Sequence, residues 1–201
     1  MSAALGACAL VIIDLQNDFL HPDGAYARGR TTSATAQALP DKLVPVAQAV
    51  KAHGGLVVAS QFTLWPDTHG EPMISPHLLE KRPFLRRGDF ASGSWGQAVV
   101  APLQPLIDVA VQKVAYSAFF NTQLDWVLRR AGVQSVAVCG IVTNGGVAST
   151  VRDAHMRDYQ TLVLSDACAA FTPEAHQAAL TDMASVAEVL DTQALVQRLG
   201  G

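Results

Sequence analysis

Short apolar runs recur along this sequence and are separated by longer segments of helical periodicity. The runs are rich in Val, Ile and Leu and do not alternate polar with apolar residues, which is typical of strands buried on both faces of a parallel sheet. We place them at residues 8–14, 56–60, 108–112, 135–139, 161–165 and 185–190. Strands that alternate with helices predict βαβ units and therefore an α/β fold.

Helices are predicted between these runs, over residues 42–52, 122–130, 147–158 and 173–183. No repeat or linker divides the chain, so a single domain over residues 1–201 is predicted. The one irregular stretch is 62–96, which is rich in Pro, Gly, His and Arg and is far longer than an ordinary connection. We expect it to form a lid or an oligomer contact.

Charge and composition exclude several classes of partner. The formal net charge is −3, from 14 basic and 17 acidic residues, so nucleic acid is not expected as a partner. No apolar run reaches the roughly 20 residues that span a bilayer, and no signal peptide is recognisable, so we predict a cytoplasmic protein without membrane contact. The three cysteines, Cys8, Cys139 and Cys168, lie in apolar surroundings, which indicates reduced, buried thiols.

The residues that follow the strands are the candidates for chemistry, because ligands bind beyond the carboxyl ends of the strands in an open parallel sheet. Asp14 follows the first run and is either a turn cap or an acid/base. Lys113 follows the third, where a lone lysine is more often a solvated residue. An acid and an amine at the mouths of different strands make a stronger hypothesis together than either does alone.

The stretch 140–147 leads from the fourth run into a helix. Thr143 and Asn144 are plausible caps, and Gly145 and Gly146 would let an anion or oxyanion approach free backbone N–H groups at the helix start. The alternative is a tight, well-capped turn without a ligand, which is the commoner arrangement.

Three blocks together resemble a known family. They are residues 11–19 (VIIDLQNDF), Lys113 with residues 116–119 (YSAF), and residues 140–154 (GIVTNGGVASTVRDA). In order and separation they are similar to the signature blocks of the isochorismatase-like hydrolase superfamily, over essentially the whole chain. The resemblance implies a three-layer α/β/α, Rossmann-like fold with a six-stranded, mostly parallel sheet, and a homodimer or homotetramer.

For the amidases of this superfamily, the resemblance implies an Asp, Lys, Cys catalytic triad. Asp14 and Lys113 match the first two positions, and the nucleophilic cysteine position falls on Gly146. Because glycine has no side chain to attack a substrate, the covalent thioester route is closed unless another thiol replaces it. Cys139 is expected to be an unreactive thiol in the core, and Cys168 is the more distant candidate for a replacement nucleophile.

Isochorismatases proper also carry glycine at that position, and they cleave a vinyl ether. The resemblance therefore implies hydrolysis of a small, carboxylated, isochorismate-type substrate to pyruvate, with Asp14 as the general acid. Residues 142–144 depart from the pattern, since typical isochorismatases have an aromatic, a small residue and His there. The substrate-binding residues that we predict are Phe19, Gln61, Arg87, Trp95, Tyr116, Val142, Thr143 and Asn144.

Two of these predictions have plainer alternatives. Arg87 belongs to a basic stretch with Lys81, Arg82 and Arg86. The stretch is either a solvated surface or a set of side chains that bind the substrate carboxylates with bidentate hydrogen bonds. Trp95, like Phe19, either walls a pocket for an apolar ring or is an ordinary core aromatic.

No metal and no cofactor are predicted. Nicotinamidase-like members of the superfamily bind a metal through an Asp-x-His just after the second strand, but the matching positions here are Phe62 and Leu64, which cannot ligate one. Asp67 and His69 repeat the spacing in a polar loop and are expected to be solvated.

Two other functions remain open at this point. One is a divergent amide or ester hydrolase in which Asp14 activates water directly. The other is a non-catalytic ligand-binding protein that kept the fold without the chemistry.

Overall fold

The computed structural model describes Leu5 and residues 7–200. Six strands form one sheet, and all their pairings are parallel. They are β1 (Cys8–Ile13), β2 (Leu56–Phe62), β3 (Val109–Lys113), β4 (Ser135–Ile141), β5 (Gln160–Ala169) and β6 (Glu188–Leu190), and their order across the sheet is β3-β2-β1-β4-β5-β6. The predicted α/β class and six-stranded sheet are confirmed, with every strand parallel.

The described residues also contain eight α-helices. These are α1 (Asn17–Leu20), α2 (Ala25–Arg28), α3 (Ala34–Ala52), α4 (Pro76–Lys81), α5 (Leu124–Arg130), α6 (Ala148–His155), α7 (Pro173–Met183) and α8 (Thr192–Leu199). Helices α3 and α8 pack together against the sheet, and α6 and α7 form a second pair against it. The result is the expected three-layer α/β/α arrangement. No helix in the described part of the chain is long and apolar enough to cross a membrane.

The position of β1 and β4 at the centre of the sheet explains why their sequences are continuously apolar. Every residue of β1 and of β4 is buried, because helices cover both faces of the sheet. The parallel register sets Ile13 opposite Ser60 of β2 and Gly140 of β4. The residues that follow these strands therefore emerge at one edge of the sheet.

Helix α3 begins eight residues earlier than predicted, at Ala34 instead of residue 42. Ser33 caps it, since the Ser33 hydroxyl accepts a hydrogen bond from the Ala36 N–H at 3.3 Å. Pro40 and Pro45 lie inside the helix, although proline normally interrupts one. The helix buries a long apolar face on the sheet, and this packing outweighs the local propensity.

Other marked differences from the sequence prediction lie in the last third of the chain. Strand β5 continues to Ala169, beyond residue 165, after a register shift in its pairing with β4. The last strand is only Glu188–Leu190. Helix α8 was not predicted at all; Asp191 caps it by accepting the Ala194 N–H at 2.7 Å.

The stretch 62–96 folds on a small hydrophobic cluster of its own, separate from the main core. The cluster consists of Ala25, Tyr26, Leu64, Leu85 and Phe90. Arg28 on α2 donates to both carboxylate oxygens of Asp89, at 2.7 and 2.6 Å. The buried Asp18 carboxylate accepts the N–H groups of Ala25, at 3.1 Å, and of Phe90, at 2.7 Å. These contacts hold the stretch against α1 and α2.

Candidate active site

A cavity of about 280 Å³ lies at the carboxyl edge of the sheet. Asp14, Lys113 and Gly146, which follow or end β1, β3 and β4, all line it. Its other walls combine aliphatic and small residues with five aromatic side chains, Phe19, Tyr26, Phe62, Tyr116 and Phe171. Concave, mostly apolar sites with a few converging polar groups are typical of small-molecule binding.

Asp14 is the buried acid of this cavity. Its backbone adopts a positive φ of 56°, a conformation that non-glycine residues rarely take and that is concentrated at functional sites. One carboxylate oxygen lies 2.7 Å from the Lys113 Nζ, and the other accepts a hydrogen bond from the Ser60 hydroxyl at 2.7 Å. Burial raises the pKa of Asp14, while the Lys113 charge and the two hydrogen bonds oppose that rise.

Lys113 is as deeply enclosed as its partner, with 2% of its surface exposed. Its Nζ also donates to the Ala115 carbonyl at 2.9 Å and lies 5.8 Å from the centre of the Phe62 ring. Lysine is seldom fully buried unless it is paired. The alternative of a solvated strand-end lysine is therefore wrong.

Gly146 lies beside the Asp14 carboxylate. A Cβ added at Gly146 would stand 3.5 Å from the Asp14 Oδ2, with the Ile13 Cγ2 at 2.9 Å and the Ile141 carbonyl oxygen at 3.0 Å. The glycine belongs to a π-helical turn, Thr143–Val147, that leads into α6. A side chain at this position would point close to the acid, but the space for its first carbon is tight.

Comparison with known protein families identifies the family of this chain. The model of the isochorismatase domain matches residues 8–194 of the chain. The chain belongs to the isochorismatase family. It is an isochorismatase-like hydrolase by this match, and the named relatives are hydrolases that act on amides.

Two of these relatives are ureidoacrylate amidohydrolases RutB. The chain is 36% identical to the one from Pantoea ananatis over 183 residues, which cover 85% of this chain and 72% of that protein. It is 35% identical to the one from Yersinia enterocolitica over 187 residues, covering 87% of this chain and 80% of that protein.

Solved structures of isochorismatase-like proteins share the fold. A cysteine hydrolase from Pseudomonas syringae pv. phaseolicola superposes with a TM-score of 0.82 at 26% identity, covering 99% of this chain and 98% of that one. N-carbamoylsarcosine amidase from Thermoplasma acidophilum gives a TM-score of 0.73 at 26% identity, covering 93% and 97%.

Six of the predicted site residues of this isochorismatase-family chain line the cavity together. They are Asp14, Phe19, Lys113, Tyr116, Val142 and Gly146. Of the two aromatic residues in this set, Phe19 packs on Tyr26 with ring centres 4.6 Å apart, while Tyr116 is an exposed residue after β3.

Three predicted substrate contacts lie elsewhere. The Gln61 side chain donates to the Gln97 carbonyl at 3.1 Å, so it ties down the loop instead of facing the cavity. Trp95 is half exposed and stands edge-on to His21, 4.9 Å between ring centres, over a different surface groove. Arg87 is exposed and lies 3.9 Å from Glu71.

The turn residues before Gly146 also point away from the cavity. Thr143 is fully buried, and its hydroxyl lies 2.8 Å from the His176 Nδ1 on α7. Asn144 is exposed. Neither lines the cavity, because the π-helical turn packs against α7 and directs Thr143 into that contact.

Several residues of the site were missed from the sequence, namely Tyr26 and Phe171 of the cavity wall, and Ser60, which contacts Asp14 without lining the cavity. Ser60 ends a run that was recognised as a strand, and a hydroxyl in an apolar strand beside a candidate acid was an available signal. Tyr26 and Phe171 had no such signal, since they arrive from α2 and from the loop after β5. Among the basic residues of 81–87, all of which the structure describes, Arg82 alone lines the cavity.

The three cysteines, all in the described part of the chain, lie outside the cavity lining and are buried. Burial raises the pKa of the Cys8 thiol to about 11 and that of Cys168 to about 12, and it raises the pKa of Cys139 well above its usual value. These thiols therefore stay protonated at neutral pH.

The residues considered for a metal have other roles. Phe62 walls the cavity, and Leu64 belongs to the cluster under 62–96. The Asp67 carboxylate accepts the backbone N–H groups of His69 and Glu71, at 2.8 and 2.9 Å, and so closes a loop. Within residues 5 and 7–200, no group of three or more His, Cys, Asp or Glu side chains is placed to hold a metal ion.

Proposed function

We propose that this isochorismatase-like hydrolase cleaves the vinyl ether of a small, isochorismate-type carboxylated substrate, without a covalent thiol intermediate. One observation carries the proposal: the buried acid Asp14 opens on a cavity where Gly146 stands beside it and where no cysteine reaches. A site of this kind offers a proton but no thiol next to the acid, and the Ser60 hydroxyl and Lys113 amine that contact Asp14 are engaged in hydrogen bonds with it.

The reaction begins with proton transfer from the Asp14 carboxyl to the terminal methylene carbon of the vinyl ether. The ether oxygen stabilises the resulting cation as an oxocarbenium ion, which water attacks. The hemiketal then collapses to pyruvate and an alcohol, and the proton that water releases returns to Asp14. General acid catalysis of this type contributes about 10²- to 10⁴-fold to the rate.

Asp14 must be protonated for the first step, and its surroundings act in two directions. Burial favours the neutral acid, while Lys113 at 2.7 Å favours the carboxylate. A substrate that brings carboxylates into the same cavity adds negative charge near Asp14 and raises the pKa of Asp14. Substrate binding itself therefore promotes uptake of the catalytic proton.

A second candidate is hydrolysis of an amide or ureido bond, and the amidohydrolase names of the two relatives favour it. Here Asp14 is ionised, as the contact with Lys113 allows, and takes a proton from water. The hydroxide adds to the carbonyl carbon, and Lys113 stabilises the tetrahedral oxyanion. This intermediate then collapses with cleavage of the C–N bond, and Asp14 returns the proton to the leaving nitrogen.

Purified protein tests both candidates side by side. Pyruvate release from isochorismate, coupled to reduction by NADH, reports the first, and ammonia release from ureidoacrylate reports the second. Pyruvate release that Asp14→Asn abolishes supports the vinyl-ether route. Ammonia release without pyruvate moves the assignment to the amide route, and tight binding with neither product indicates a non-catalytic ligand-binding protein.

Replacing the glycine adds a second discriminator. If the site descends from a thiol amidase, Gly146→Cys should trap a covalent adduct or gain amidase turnover. A vinyl-ether site should gain neither. A Cβ at position 146 would make tight contacts with Ile13 and Ile141. A thermal melting curve of the variant, measured beside the assay, therefore checks that it is folded.

A further inference from the structure

Arg82 is the third charged group of the cavity, after Asp14 and Lys113. It follows α4 in the stretch 62–96, is half-buried and lines the cavity. Its Nε donates to the Tyr26 hydroxyl at 2.6 Å, and Tyr116 also interacts with its guanidinium. Two phenols that line the same cavity thus hold this cation in place.

The guanidinium of Arg82 makes no salt bridge with an aspartate or glutamate of the described chain. Two nearby arginines do: Arg28 pairs with Asp89, and Arg87 lies near Glu71. Placing a cation in a mostly apolar cavity without a counter-charge costs free energy through lost hydration. An anionic ligand would supply the missing charge.

The hydrogen-bonding capacity of Arg82 fits a carboxylate. A guanidinium has five N–H donors in a planar fork, and the contact with Tyr26 uses the Nε–H. Tyr116 is a second partner of the guanidinium, but two phenols do not use all five N–H donors. Donors therefore remain for a carboxylate, which accepts a pair of parallel hydrogen bonds from such a fork. Lys113 is less free for this role, since Asp14 and the Ala115 carbonyl already occupy its Nζ.

We infer that Arg82 is a specificity-determining residue that binds the carboxylate of a small, ring-containing substrate, with the ring of the substrate between the aromatic walls Phe19, Phe62 and Tyr116. The inference rests on the proposed function only in placing the reacting group at Asp14. The cavity then binds its ligand through charged side chains from two regions. Asp14 and Lys113 come from the strand ends, and Arg82 comes from the stretch 62–96.

Binding of benzoate and of benzamide, measured by isothermal titration calorimetry, tests the inference without any turnover. The two probes share a planar ring, but only benzoate carries the charge. We expect the wild type to bind benzoate more tightly than benzamide. Arg82→Gln should weaken benzoate at least tenfold, about 1.4 kcal/mol, and should change benzamide less than twofold.

Two further variants sharpen the result. Arg82→Lys keeps the charge but loses the fork, so we expect it to recover only part of the benzoate affinity. Arg130→Gln removes an exposed arginine of α5, outside the cavity lining, and is the matched control, with benzoate binding unchanged. Retained benzamide binding shows that each variant is folded. Equal benzoate affinity in the wild type and Arg82→Gln, or equal affinity of the wild type for both probes, overturns the inference.

Kinetics on a confirmed substrate separates this inference from the proposed function. We expect Arg82→Gln to raise KM at least tenfold while kcat falls less than about threefold, because the residue binds and does not transfer protons. If no substrate turns over but the affinity for benzoate still depends on Arg82, the proposed function fails and the inference stands. If Asp14→Asn abolishes turnover while Arg82→Gln leaves KM unchanged, the proposed function stands and the inference about Arg82 fails.

Discussion

The ion pair of Asp14 and Lys113 and the guanidinium of Arg82 face the same cavity but are held by different means. The ion pair stands at the ends of two strands, inside a continuous core, with both side chains almost fully buried. Arg82 is half-buried in the stretch 62–96, which rests on the small cluster around Tyr26 and on the pair of Arg28 and Asp89.

The difference separates chemistry from recognition. A strand end in a packed sheet cannot shift without disturbing many neighbours, so it holds reacting groups accurately. A loop on a satellite cluster opens at lower free-energy cost and tolerates changes of length and sequence. We therefore expect the ion pair to set the reaction and Arg82 to set which ligand is bound.

The largest effect is expected from the acid itself. Asp14→Asn removes the transferable proton with little change in shape, and turnover should fall at least about 100-fold. Steady-state kinetics on a confirmed substrate checks this value. Asp125→Asn, on the exposed face of α5, is the control and should leave kcat unchanged. A loss below about threefold in Asp14→Asn would exclude it as the general acid.

Breaking the ion pair should cost the most stability. Lys113→Met leaves the buried Asp14 without a counter-charge, and we expect the free energy of unfolding to fall by about 3–5 kcal/mol. Urea denaturation measures it. The double variant Asp14→Asn with Lys113→Met should recover part of the loss, since no isolated charge remains. Arg129→Met, from a surface pair with Asp125, should cost under about 1 kcal/mol.

The pH profile tells the two candidate reactions apart. If Asp14 must be protonated, kcat/KM is flat below the pKa of Asp14 and falls about tenfold per pH unit above it. Burial raises this pKa, so the fall begins above the usual range of an aspartate. If ionised Asp14 is the base, kcat/KM rises with pH through the same pKa. A rising limb would contradict the vinyl-ether route.

Breaking a contact that holds the stretch 62–96 should cost less stability than breaking the ion pair of Asp14 and Lys113. Arg28→Met breaks the bidentate contact with Asp89, and we expect a loss of about 1–2 kcal/mol together with faster amide hydrogen exchange confined to residues 62–96. Exchange in β1 and β4 should follow global unfolding only. Equal acceleration in both regions would show that the stretch does not open independently.

The smallest effect concerns the thiols. With pKa values of about 11 and 12, Cys8 and Cys168 hold almost no thiolate at pH 8, and Cys139 is equally enclosed. Native protein should therefore react with none of its three cysteines over an hour with a thiol reagent and should keep full activity, whereas urea-unfolded protein reacts at all three. Inactivation of the folded enzyme would restore a role for a cysteine.

Much of the fold was predictable because continuous apolar runs have one stable solution, a parallel sheet covered on both sides. Helix α7 was predicted with the bounds that the structure shows, since Thr172 and Pro173 mark its start locally. Helix α3 begins eight residues before its predicted start and runs through Pro40, a residue that normally interrupts a helix, and burial of its apolar face explains why it continues.

The sequence by itself determined the sheet, its parallel strands and the residues at their ends, because hydrophobic periodicity and strand-end position are local properties of the chain. The meeting of Asp14, Lys113 and Ser60 at hydrogen-bonding distance was decided by strand register. That Arg82 lines the cavity and Arg87 does not, and that Gln61 and Trp95 lie outside its lining, was decided only by the tertiary packing of the stretch 62–96. Side chains on an irregular loop have no period to reveal their direction, so long-range contacts alone determine which of them reach the cavity.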